Sequence, residues 1–125
     1  MQGNTGIWID HKEAFIVFDG ATEAEAKDAG VDKHVKFSGH GSPHGSPEDK
    51  QDRHLEAERG KYYDEVITHV RDAESILLFG PGEAKGELEK RLGEKGLGKR
   101  IVGVETVDKM TDHQIVAKVR QHYQK

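Results

Sequence analysis

Ile76-Leu77-Leu78-Phe79-Gly80-Pro81-Gly82-Glu83-Ala84-Lys85-Gly86-Glu87-Leu88 is the stretch that decides how this chain folds. Four consecutive large apolar residues are too few for a helix of their own and suit a strand covered on both faces. Two glycines around a proline then forbid continuation of either regular element. The charged run that follows carries Ala84, Leu88 and Leu92 at one residue per turn, the stripe of a helix, which Gly93 or Gly96 is placed to end. Strand, tight loop and helix in that order are one half of a βαβ unit, and the loop lies at a strand's carboxyl end, where open α/β sheets place ligands and partner contacts.

Working downstream, Ile101-Val102-Gly103-Val104 reads as a second short buried strand. Thr111 with Gln114 three residues later forms a capping box, and Ile115, Val116, Val119 and Tyr123 mark the apolar side of a final helix. Upstream, Leu55, Arg59, Tyr62, Tyr63, Val66, Ile67 and Val70 recur at spacings of three and four, which predicts a long helix from about Pro47 or Asp52 to Arg71. Gly6–Asp10 and Glu13–Asp19 are rich in β-formers around a short polar turn and predict an opening hairpin. Residues 20–30 lack an apolar stripe and read as an exposed connection, and Val31–Phe37 as an edge-like strand.

The self-repeat Gly-Ser-Pro-His-Gly-Ser-Pro at residues 41–47 opposes helix and central strand alike, so residues 38–51 are expected to be a disordered loop. The reading is α/β: one three-layer α/β/α domain over residues 1–125 with a mixed sheet, an N-terminal β-hairpin and then helix, strand, helix, strand, helix.

Composition narrows the function classes. The 125 residues suit one core, and no apolar run nears the roughly 20 residues that span a bilayer. No basic-then-apolar amino-terminal segment marks a secretory signal, and there is no cysteine, which together lead to the expectation of a cytoplasmic protein without a membrane partner. A formal net charge of −4 opposes coating of DNA or other nucleic acid by bulk electrostatics. The bases Lys85, Lys90, Arg91, Lys95, Lys99 and Arg100 cluster, but Glu83, Glu87, Glu89 and Glu94 interleave with them as on a solvated helix.

If the strands at 76–79 and 101–104 are parallel neighbours, their carboxyl ends bring the Gly80–Lys85 loop beside the Glu105–Asp112 loop. That edge gathers Gly80, Pro81, Gly82, Glu83, Lys85, Glu105, Asp108, Lys109 and Thr111 as the candidate partner- or ligand-binding residues. Free amides opening the following helix suit a phosphate or carboxylate, which supports a small-ligand or anion-binding sensor as one reading. Against it, the loop lacks the lysine and hydroxyl of a P-loop and the full dinucleotide glycine fingerprint, and Glu83 repels an anion. Nothing selects acid–base or magnesium chemistry for Glu105 and Asp108 over capping and solvation, and no nucleophile stands beside a base, so no catalytic residue is assigned and no enzyme is expected. His40, His44, His54 and Asp52 are too loosely spaced to assign a metal site, and no cofactor is expected. The uncovered edge of a small sheet leaves pairing with a second copy open.

Four segments carry a family resemblance: Gly6–Lys12, Tyr63–Ile67, Leu77–Lys85 and Val104–Ile115. They are similar to the small bacterial translational machinery proteins, which resemble the C-terminal domain of eukaryotic and archaeal class-one release factors and of Pelota. The resemblance implies the α/β/α fold shared with kink-turn-binding ribosomal proteins and a non-enzymatic binding role toward the ribosome, RNA or translation factors. The chain departs from full release factors in having no Gly-Gly-Gln tip and no codon-reading domain, so peptide release by it alone is not expected. In kink-turn binders RNA meets loops at one edge of the sheet, to which the Gly80–Lys85 and Glu105–Asp112 loops correspond; their acidic content opposes direct kink-turn binding.

Overall fold

A computed structural model describes residues 3–19, 33–37 and 48–123 of the chain. The elements run β1 (Asn4–Ile9), β2 (Glu13–Asp19), β3 (Lys33–Lys36), α1 (Glu48–Val70), β4 (Ser75–Gly80), α2 (Ala84–Glu94), a single 3-10 turn (Gly98–Arg100), β5 (Ile101–Thr106) and α3 (Asp112–Tyr123). The five strands form one mixed sheet in the order β3-β2-β1-β4-β5. β1 pairs antiparallel with β2 and β2 with β3, while β1–β4 and β4–β5 are parallel.

Period-2 alternation divides β4 between two cores. Ile76 and Leu78 join Ile7, Ile9 and Ile16 beneath Tyr62, Val66 and Val70 of α1 and Leu88 and Leu92 of α2. Leu77 and Phe79 face the other way, with Trp8 and Val17, against Ile115, Val116 and Val119 of α3. The helices thus make a two-against-one sandwich around the sheet, the three-layer α/β/α domain read from the sequence. A strand loaded on both faces must be apolar throughout, and Ile76, Leu77, Leu78 and Phe79 are all fully buried.

Local chemistry fixes the ends of the elements. The Asp10 carboxylate accepts the amides of Lys12 (2.7 Å) and Glu13 (2.8 Å), closing the hairpin with an Asx turn. α2 stops at a Schellman motif: Gly96, with φ of 82°, donates to the Gly93 carbonyl at 3.1 Å, and Leu97 reaches back to Leu92 at 2.8 Å. The capping box on α3 is reciprocal, Thr111 N–H to Gln114 Oε1 at 2.9 Å and Gln114 N–H to Thr111 Oγ1 at 3.2 Å. The guanidinium of Arg100 donates to the carbonyls of Arg71 (2.7 Å) and Ala73 (3.0 Å), satisfying acceptors left over where α1 ends.

Two expectations change. β5 is not a buried strand: its burial alternates, with Val102 51% and Val104 37% exposed, because it is the last strand of the sheet and α3 packs over β1 and β2 instead. The long helix begins at Glu48 and so takes in the last four residues of the 38–51 stretch read as a loop. The connection at 20–30 and the remainder of that loop, 38–47, lie outside the described residues.

Candidate interaction edge

The parallel pairing of β4 with β5 sets Gly80 opposite Thr106 and puts the two predicted loops side by side at the carboxyl edge. Val107 N–H donates to the Gly80 carbonyl at 3.1 Å, so the loops are stitched where they leave the sheet. They then diverge. Residues after Gly82 turn into α2 over one face, whereas Val107 and Met110 pack into the core beneath α3 and Trp8 Nε1 donates to the Asp108 carbonyl at 3.4 Å.

The glycines at this edge have distinct reasons. Gly80 has φ of 153°, and a Cβ there would lie 2.2 Å from the Ile9 carbonyl oxygen, so close passage beside β1 demands glycine. Gly82 has φ of 66° with nothing within 4 Å of a Cβ, so its requirement is conformational and its surroundings are open.

The charged candidates divide between structural work and exposure. Lys85 is 8% exposed and donates its ammonium to the Gly82 carbonyl, so its positive charge is spent holding the loop. Glu105 sits on β5 itself and pairs with Lys118 of α3 at 2.8 Å, while that ammonium lies 5.6 Å from the Phe79 ring centre. Glu83, Asp108, Lys109, Thr111 and Asp112 are exposed. A cleft of about 370 Å³ lies between Gly82, Glu83, Lys85, Gly86, Glu87, Lys90 and Val104. Both helices leading into and out of β4 lie on one face of the sheet, while the strand order reverses between β1, which continues to β2 and β3, and β4, which continues to β5.

A third loop belongs to this edge, one that the sequence pattern does not place there. Because β1 runs parallel to β4, its carboxyl end delivers the Asp10–Lys12 turn to the same side of the sheet. His11 Nε2 lies 3.4 Å from the Glu87 carboxylate, which also accepts the Tyr63 hydroxyl, and Tyr62 donates to the Asp10 carbonyl at 2.9 Å. Burial foremost pushes both phenols above the ordinary tyrosine value, reinforced by Asp10 at Tyr62 and by the Glu87 hydrogen bond at Tyr63. The period of α1 marks these tyrosines only as core; the missing signal is which strand lies next to β4.

Beside this cluster, α1 and α2 enclose a cleft of about 430 Å³ lined by Arg59, Gly60, Tyr63, Glu87, Lys90, Arg91 and Glu94. Arg91 crosses α1 at Gly60 and binds Asp64 with two donors, at 2.7 and 2.9 Å. Among the described residues no three histidine, aspartate or glutamate side chains are grouped to hold a metal ion, and no helix is long and apolar enough to cross a membrane. His40, His44 and the side chains of Asp52 and His54 lie outside the described residues.

No protein-family model matches the sequence, and no curated protein sequence does. Solved structures do match. The Pelota protein of Thermoplasma acidophilum superposes with a TM-score of 0.59 at 18% identity over 94% of this chain, and Archaeoglobus fulgidus Pelota with 0.59 at 15% over 96%. An archaeal translation termination factor, aRF1, gives 0.55 at 15% over 94%. The fold is one found within Pelota and aRF1. This chain spans about a third of those chains, 31% of each Pelota and 34% of aRF1.

Proposed function

We propose that this protein is a non-enzymatic binding module of the translation apparatus that meets the ribosome, RNA or a translation factor through its carboxyl sheet edge. The observation that carries the reading is the fold: nearly the whole chain superposes on part of Pelota and of the archaeal translation termination factor aRF1. The sequence likeness to the bacterial translational machinery proteins points the same way. At the edge itself, Gly82, Glu83, Asp108, Lys109 and Thr111 stand exposed on loops pinned from behind by Gly80, Trp8 and the Thr111 capping box, a rigid base with accessible side chains. Rigid presentation suits recognition because little ordering entropy is lost on contact. The small-ligand sensor loses support, since Lys85 already bonds a carbonyl of its own loop.

Co-sedimentation with ribosomes tests the proposal. Association at low salt is expected, reduced by Lys109→Glu with the fold intact. A steep decline with salt assigns phosphate contact and a shallow one protein contact. Absence from ribosomal fractions at low salt overturns the reading.

A further inference from the structure

We infer that β5 is the pairing edge for a second copy of this chain, joined antiparallel so that two five-stranded sheets become one. The two ends of the sheet are built differently. β3 is four residues long and carries Lys33 and Lys36, both exposed, the short charged edge that repels strand addition. β5 has one strand neighbour, β4, and no charge from Ile101 to Val104. Val102 and Val104 are also the large hydrophobic side chains that stand exposed among the described residues, and both belong to this strand.

The charge along the strand selects its occupant. Exposed Lys99 precedes β5 and exposed Asp108 lies beyond its other end, while Arg100 and Glu105, of the same signs, are already engaged within the chain by the Arg71 and Ala73 carbonyls and by Lys118. A parallel partner of the same sequence sets like charge against like. An antiparallel one sets the basic end of each copy against the acidic end of the other, a twofold, self-complementary arrangement. Centring the axis on Gly103 puts Val102 of each copy opposite Val104 of the other, covering both valines with cross-strand pairs. Gly103 is small for an inward reason, a Cβ there lying 3.2 Å from Leu77 Cδ1, so it contributes a position on the axis and no side chain. Val102 is the extra residue of a bulge against β4, between the pairs Ile76–Ile101 and Leu77–Gly103, so it lies outside the β4 register and faces the free edge.

Sedimentation equilibrium across a concentration series reads the state directly. The expected result is a reversible shift from 13.9 kDa toward twice that mass. Val104→Lys, whose side chain lies outside both cores, is expected to weaken the dimer by about tenfold or more, with an unchanged circular dichroism spectrum. Because the natural chain has no cysteine, register is tested by mixing Val102→Cys with Val104→Cys. The mixture is expected to form more disulfide-linked dimer than either variant alone. A monomer throughout, or a dimer whose mass ignores Val104→Lys, or equal cross-linking in all three samples, overturns the inference. None of these outcomes depends on ribosome binding.

Discussion

Gly6 and Val119 are the point where α3 is seated on the sheet: a Cβ built on Gly6 would lie 2.2 Å from Val119 Cγ2. The helix therefore rests on bare β1 backbone, and Tyr123 one turn further on donates to the Thr5 carbonyl at 2.8 Å. Gly6→Ala is expected to destabilise by about 1–3 kcal/mol through overpacking. The double variant Gly6→Ala, Val119→Ala restores room, so its loss should be smaller than the sum of the two single losses, measured by urea unfolding. Additive losses would mean that α3 is not held at this contact.

Asp64 and Arg91 join α1 to α2, and the paired guanidinium holds the Asp64 carboxyl below its ordinary range, first through the hydrogen bonds and then through charge. A depressed carboxyl contributes stability above its ordinary value of about 4 and loses it as pH falls through the depressed one. Both side chains are partly exposed, at 42% and 33%, so solvent screens the pair to about 1 kcal/mol or less. Asp64→Asn should therefore lower stability slightly at pH 7 and flatten its decline below pH 4 in acid titrations of unfolding.

At the alkaline end the tyrosines act. With phenols of Tyr62 and Tyr63 raised by burial, the folded state keeps protons that the unfolded state sheds above its ordinary value near 10. Their contribution is complete below that value and falls as pH rises, because the unfolded chain then binds fewer protons than the folded one. The phenolate absorbance contributed by Tyr62 and Tyr63 should appear together with unfolding, and Tyr62→Phe with Tyr63→Phe should make stability less steep above pH 10. Ionisation of both tyrosines in a chain that stays folded would contradict their burial.

Some of this is legible in the sequence, and the rest is hidden for identifiable reasons. Ile76–Phe79, the α1 stripe from Tyr62 to Val70 and the Thr111–Gln114 box are local signals, each set by residues within a turn or two, and each stands in the structure as read. The neighbour of β4 is a long-range fact: nothing in Gly6–Ile9 says that β1 lies beside Ser75–Phe79, so the Asp10–Lys12 turn and the Tyr63–Glu87–His11 contacts stay invisible. The same limit hides the exposure of Val102 and Val104, since a valine-rich strand reads alike at the centre and at the margin of a sheet. At the edge, residue type marks Lys85 and Glu105 as available charges, whereas their partners, the Gly82 carbonyl and Lys118, are set by the fold.

Gly80 and Gly82 separate geometry from recognition at the edge. Gly80→Ala drives a methyl group into the Ile9 carbonyl in the middle of the sheet, where backbone cannot yield, and adds the strain of its φ. A loss of about 2–5 kcal/mol is expected. Gly82→Ala meets open space, so only the left-handed conformation opposes it, at about 1–2 kcal/mol. The second variant should remain folded at 25 °C and is the usable probe of partner contact, because its methyl projects into open space on an exposed loop. Thermal unfolding of both variants checks the order of the losses. If Gly82→Ala unfolds as readily as Gly80→Ala, the loop is held by more than its backbone conformation, and the open space assigned beside Gly82 is wrong.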